Sequence, residues 1–266
     1  MKKRKKIGLA LGSGAYRGFA HIGVLRVLQK HGIQIDYMSG SSIGAWVAAY
    51  FAMFRNTDQL ELDLINNRQE NLSLLFDLNW SGGFIGGSKF VKYLEKRLQG
   101  YDFSDLQIPL KIVATDLATA HPYVFSKGSI ATAVRASTSV PVLFKPLEYD
   151  NCLLVDGGMS DPVPCDLVRG MGADIVIGVN LYHENEFKKN KLGLSQVVVR
   201  SSVVMLHNLA KYSLVNADIT VSPDLSHIGV HSSISKYFTR KVAEEMISIG
   251  EASAEAAIPE LKRLLK

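Results

Sequence analysis

The stretch Gly40-Ser41-Ser42-Ile43-Gly44 sets one serine two residues from a glycine on either side, a spacing that suits a nucleophile. A serine hydroxyl attacks a carbonyl well when a sharp strand-to-helix turn holds it out at the end of a sheet. An apolar run at 35–39 precedes the motif and an Ala-rich, helix-like stretch at 43–54 follows it, which is the context the turn needs. Gly40 and Gly44 leave only hydrogen atoms where the chain must crowd itself. Ser42, unlike Ser41, has both glycines, and the amide of Ile43 at the helix start can face a developing oxyanion. Taken alone, so short a pattern equally suits a plain turn of small residues.

A hydroxyl nucleophile needs a base. Asp156-Gly157-Gly158 closes an apolar run at 152–155, so a carboxylate is expected at a strand's carboxyl end, the edge where Ser42 also belongs. Asp-Gly is also a common tight turn. The other route is a Ser-Asp-His triad, with the histidine drawn from His183, His207, His227 or His231, although none of these follows a clear strand end. His21 and His31 read as surface or core-edge residues, and His121 precedes a proline in a connection. No His-x-x-His or His-Glu-x-x-His spacing points to zinc, so no metal is expected.

Gly12-Ser13-Gly14-Ala15-Tyr16-Arg17-Gly18 can turn several backbone N–H groups toward an anion. Two anions fit: the oxyanion of acyl transfer, or the pyrophosphate of a dinucleotide with Asp36 on its ribose. The second reading leaves unexplained why the next strand runs straight into the Ser42 turn. Residues 82–89 imitate a phosphate-binding loop but read Gly-Ser-Lys where Gly-Lys-Ser/Thr is required. Arg17 would add positive charge near the site, meet a phosphate head group, or serve a structural ion pair.

The elements that must position these residues alternate. Strands are expected at 7–11, 35–39, 110–115, 123–126, 152–155, 175–179 and 219–221. Helices are expected at 18–30, 43–54, 88–98, 129–136, 164–171, 194–215 and 239–265. Such alternation predicts an α/β fold with a mainly parallel central sheet between helical layers. No linker or repeat breaks the chain, so a basic tail at 1–6 is followed by one domain at 7–266. Its motifs fall in 7–180 and a helical part occupies 194–266. Residues 72–88 interleave Trp80, Phe84 and Ile85 with glycine pairs. They suit a hinged, lipid-meeting flap or a surface loop folded back on the core.

Composition narrows the classes. The net charge of +5 is only mildly basic, and Lys2, Lys3, Arg4, Lys5 and Lys6 supply much of it, so a nucleic-acid partner is not expected. No apolar run approaches the ~20 residues that span a bilayer. Cys152 and Cys165 lack metal-ligand spacing and read as structural thiols of a reducing cytoplasm. The basic end suits contact with the inner membrane face. Oligomeric state is not legible.

The glycine loop ending in Arg17-Gly18, the Gly40–Gly44 elbow and Asp156-Gly157-Gly158, in this order, resemble the patatin-like phospholipases, in particular the bacterial neuropathy-target-esterase-like group. The stretch from Ala133 to Pro141 resembles that family's helix running into a Ser-x-Pro turn. Asp161-Pro162-Val163-Pro164 resembles its segment after the aspartate. Ser13 and Ala15 stand where many relatives carry glycine. The resemblance implies a single-domain three-layer patatin-like fold and a Ser42–Asp156 dyad with no cofactor. It also implies an oxyanion hole from the backbone around Gly14, Ala15 and Ile43, and hydrolysis of lipid acyl esters through an acyl-enzyme. A lipid-binding regulator with the same fold and little turnover is the non-enzymatic alternative.

Overall fold

The computed structural model describes residues 4–66, 94, 96–98, 100–141, 143–186, 193–228 and 239–266. The predicted flap at 72–88 and most of the helix expected at 88–98 lie outside the described residues.

Eight strands form one mixed sheet: β1 (Ile7–Leu11), β2 (Tyr37–Ser41), β3 (Leu110–Asp116), β4 (Pro122–Phe125), β5 (Leu147–Tyr149), β6 (Cys152–Asp156), β7 (Ile175–Val179) and β8 (Ile219–Val221). Their order is β5-β6-β3-β2-β1-β7-β8, with β4 also on β3. The pairs β3-β2, β2-β1, β1-β7 and β7-β8 are parallel, while β4, β5 and β6 run antiparallel to their neighbours. Parallel strands buried on both faces read as unbroken apolar runs, and β1 and β7 are buried at every position.

Among the described residues, the α-helices with defined limits are α1 (Phe19–Lys30), α2 (Ile43–Phe54), α3 (Thr57–Asn66), α4 (Ile130–Ser137), α5 (Cys165–Gly170), α6 (Leu194–Ser213) and α7 (Arg240–Leu265). Alternating β1 side chains divide them into layers. Ile7, Leu9 and Leu11 join the large apolar cluster of α1, α2, α4 and α7, whereas Ala10 joins a smaller one with Val168 of α5 and Ala210 of α6. The expected helix–sheet–helix architecture is present. The short strand β5 and the helix α3 are additions to the elements expected from sequence, and β2 begins two residues later than expected.

Candidate active site

Ser42 caps α2 with φ +55° and ψ −124°, a positive φ that side chains rarely adopt. Packing holds the strain in place. A Cβ on Gly44 would lie 2.1 Å from the Leu11 carbonyl oxygen, and one on Gly40 would lie 2.5 Å from Cα of Ala45. The helix therefore starts directly against two strands, and only glycine permits it. The Ser42 amide donates to Ser137 Oγ at 2.8 Å, which fixes the turn from the side of α4.

The Ser42 hydroxyl donates to Asp156 Oδ2 at 2.5 Å. A shared carboxyl edge does not explain this contact, because β6 runs antiparallel to β3 and its carboxyl end points the other way. Register does. On β3, Val113 pairs with Ser41 and Ala114 pairs with Asp156, so nucleophile and carboxylate stand level on either side of one strand. Gly157 lets the chain cross that strand, since a Cβ there would lie 2.2 Å from the Val113 carbonyl oxygen.

Asp156 is held from every side. Its Oδ1 accepts the Gly158 amide at 2.8 Å, its own amide donates to the Ser139 carbonyl at 3.0 Å, and its carbonyl accepts Thr115 Oγ1 at 2.8 Å. Burial pushes its carboxyl up to about 6, and the hydrogen bonds from Ser42 and Gly158 pull against that rise. Such a group is ionised at neutral pH yet more basic than an ordinary aspartate.

The glycine loop spends its first two amides on the fold. Gly12 N–H donates to the Val179 carbonyl at 3.0 Å and Ser13 N–H to the Pro162 carbonyl at 2.8 Å. The amides of Gly14 and Ala15 follow next along the loop. Ala15 sits at φ +52°, which accounts for glycine at the matching position of the resembled family. A Cβ on Gly18 would lie 2.1 Å from Ile43 Cγ1, so loop and elbow are packed against each other. Arg17 is buried, its guanidinium 5.2 Å from the Tyr16 ring centre and 5.8 Å from that of Tyr182. Ser13 Oγ lies 3.0 Å from the Tyr182 hydroxyl.

His21 is fully buried, contrary to its reading as a core-edge residue, with Nε2 2.8 Å from the Gly12 carbonyl oxygen. Burial lowers its pKa to about 4, so the ring is neutral, its Nε2–H donates, and it props the loop from beneath. Ser137, Thr115, Ser139 and His21 were all missed as site residues. For the first and third, the resemblance of the stretch from Ala133 to Pro141 was the available signal.

Other readings separate from this centre. Asp36 precedes β2, accepts the Ile7 amide at 2.8 Å and pairs with Arg4, at the sheet edge opposite Ser42, so it cannot reach a ribose beside the glycine loop. His183 is 3.6 Å from Asp224, His227 is 3.0 Å from Glu245, His207 is buried on α6, and His231 lies outside the described residues.

A strained serine hydrogen-bonded straight to a buried carboxylate, beside a glycine loop packed on its helix, sits on a mixed α/β sheet. The family model of the patatin-like phospholipases matches residues 9–169, and the chain belongs to that family. It is 35% identical to an uncharacterized NTE family protein of Mycobacterium bovis over 66% of this chain and 49% of the relative. It is 33% identical to patatin-like phospholipase domain-containing protein 6 of Mus musculus over 68% of this chain and 14% of the relative. The chain thus spans half or less of the length of these curated relatives. The crystal structure of VipD from Legionella pneumophila superposes with a TM-score of 0.64 over 97% of this chain and 67% of that one, at 13% identity, a likeness of fold.

Proposed function

We propose that this chain hydrolyses the acyl esters of lipids, with Ser42 as nucleophile and Asp156 as its base. The observation that carries the reading is the 2.5 Å hydrogen bond from a serine in strained backbone geometry to a buried aspartate. Asp156 takes the Ser42 proton as Oγ attacks the ester carbonyl carbon. The carbonyl π electrons move onto oxygen, where the amides of Gly14, Ala15 and Ile43 stabilise the charge, each donor being worth ~2.7–4 kcal/mol in other hydrolases. Collapse expels the alcohol, which leaves with the proton held by Asp156. Water, deprotonated by the same carboxylate, then attacks the acyl-Ser42 ester, and Ser42 regains its proton as the fatty acid departs.

Residues 7–266 act in this reading as one hydrolase domain. Its support is the packing of α7 on α1 and β8, which joins the last third of the chain to the motif-bearing part. The reading needs no metal or cofactor. It places the protein in the cytoplasm with contact to the inner membrane face. No helix among the described residues is long and apolar enough to cross a membrane.

Intact-protein mass after fluorophosphonate treatment tests the chemistry. A single adduct is expected on the wild type, absent from Ser42→Ala and slow to form on folded Asp156→Asn. An adduct that persists in Ser42→Ala, or none on folded wild type, would end the proposal.

A further inference from the structure

The glycine loop rests on the residues that follow β7. Gly12 N–H is tied to the Val179 carbonyl, and a Cβ on Gly14 would lie 2.7 Å from Leu181 Cδ1, so Leu181 fills the space beneath the loop. Tyr182 comes next, 5% exposed, and joins the smaller apolar cluster with Ala10 and Val163. Its hydroxyl lies 3.0 Å from Ser13 Oγ, and the Arg17 guanidinium stands 5.8 Å from its ring centre. One side chain thus meets the loop near its start and again near its end.

Tyr182 is itself held. The Asn180 side chain donates to the Tyr182 carbonyl through Nδ2 at 3.0 Å and accepts the Tyr182 amide on Oδ1 at 3.0 Å. The Asn180 amide donates to the Val221 carbonyl at 2.9 Å, which anchors the segment to β8 as well. Packing alone does not call for the hydroxyl. Phenylalanine would fill the same place in the apolar cluster, and a hydroxyl buried there without a partner would cost stability. The tyrosine oxygen is therefore explained by its contact with Ser13, which is itself buried.

The loop needs such a hold. Ala15 sits at φ +52°, a conformation that a residue with a side chain keeps only when its surroundings impose it. Gly14 beside it has the widest freedom of any residue type. Ser13 stands directly before these two. Its amide is fixed on the Pro162 carbonyl at 2.8 Å. Its Oγ is fixed between the Tyr182 hydroxyl and the turn after Asp156, where a Cβ on Gly158 would lie 2.8 Å from it. With its amide and its side chain both held, Ser13 sets the direction of the peptide that follows. An oxyanion donor depends on such direction, since a misplacement of about 1 Å can cost ~100-fold in rate.

We infer that Tyr182, through its hydroxyl contact with Ser13, is a positioning residue for the glycine loop, aiming the Gly14 and Ala15 amides at the oxyanion formed on an ester attacked by Ser42. The inference rests on the acyl-hydrolase reading and names a part of its machinery. Wild type, Tyr182→Phe, Ser13→Ala, the double variant and Ser42→Ala are compared as full chains in turnover of a soluble short-chain p-nitrophenyl ester and in fluorophosphonate labelling. Each single variant at the pair is expected to lose about tenfold in kcat with KM within about twofold of wild type, because the hydroxyls act on the transition state and not on the bound ester. The double variant should be no slower than the slower single one, since the second substitution removes a partner already lost. The acid limb of the kcat/KM profile should stay at the wild-type position, as Asp156 keeps its own hydrogen bonds. Labelling should be slower yet still reach one adduct per chain, which separates a misdirected loop from a fraction of unfolded protein. Single variants with wild-type kcat, losses that multiply in the double variant, a shifted acid limb, or a loss carried by KM or by incomplete labelling would each overturn the inference. The hydrolase reading would survive any of these so long as Ser42→Ala abolishes turnover and adduct. A folded wild type with neither turnover nor adduct would end the hydrolase reading, and this inference with it.

Discussion

At the scale of single residues, the environment of Asp156 decides what kind of base the proposed dyad would have. An ordinary aspartate, near 3.9, would keep accepting protons from Ser42 down to mildly acidic solution. Burial instead holds Asp156 at about 6, and its two hydrogen-bond donors fall short of cancelling that effect. In the proposed mechanism the active form is the carboxylate, so activity is lost as pH falls through that value. The expected kcat/KM profile for a soluble ester has an acid limb centred near pH 6, with a plateau above pH 7. A limb near pH 4 would mean that the carboxylate is far better solvated than its burial allows. Motif spacing singles out Ser42 and Asp156, and the structure sets them within hydrogen-bonding distance, whereas the residues that support them carry no such spacing. Nothing in the sequence around His21 says that its ring faces inward, because that depends on α7 covering α1 from more than two hundred residues away.

At the scale of elements, β1, α2, β7 and β8 have the limits expected from their apolar patterns, since each is short, strongly patterned and bounded by glycine or polar residues. The direction of β6 was not legible. An apolar run has the same pattern in either orientation, and only its pairing with β3 shows that register, not a shared edge, brings Asp156 to Ser42. α3 was missed because Leu60 and Leu64 give it a narrow apolar stripe among polar residues. The contact of α1 with α7 supports a sharper expectation. A Cβ on Gly250 would lie 2.1 Å from the Ala20 carbonyl oxygen, and one on Gly23 would lie 2.0 Å from that of Ile247. Helix propensity alone would make Gly250→Ala stabilising by about 1 kcal/mol. The clash is with backbone, which cannot rotate away, and overpacking of this kind costs about 1–3 kcal/mol. The clash should win. Urea unfolding of Gly250→Ala is expected to show a lower midpoint with an unchanged slope, and ester turnover should fall too, because α1 carries the His21 prop of the glycine loop. A midpoint at or above wild type would show that the two helices have room to separate.

At the scale of the whole molecule, the carboxylate proposed as the base works against the fold. Its folded value of about 6 lies above the value of 3.8 for an unperturbed aspartate, so the folded state holds its proton more tightly. The stability contributed by the neutral form is complete below about pH 4 and is lost as pH rises through 6. The shift is about two units, which puts the full loss at roughly 3 kcal/mol, an upper figure because buried sites relax. Asp161, pushed up to about 6 by burial with Ser213 as its hydrogen-bond donor, adds a loss in the same direction. Asp156→Asn keeps the shape and remains neutral at every pH, so it isolates one group from the other. The variant should be inactive yet more stable than wild type at pH 8, by several degrees in Tm. That advantage should shrink through pH 6 and vanish near pH 4, while the slope from Asp161 persists in both proteins. An equal or lower Tm for the variant at pH 8 would mean that the Ser42 and Gly158 hydrogen bonds fully compensate the buried charge. The centre would then be a stabilising feature of the fold, and not a strained one kept for reactivity.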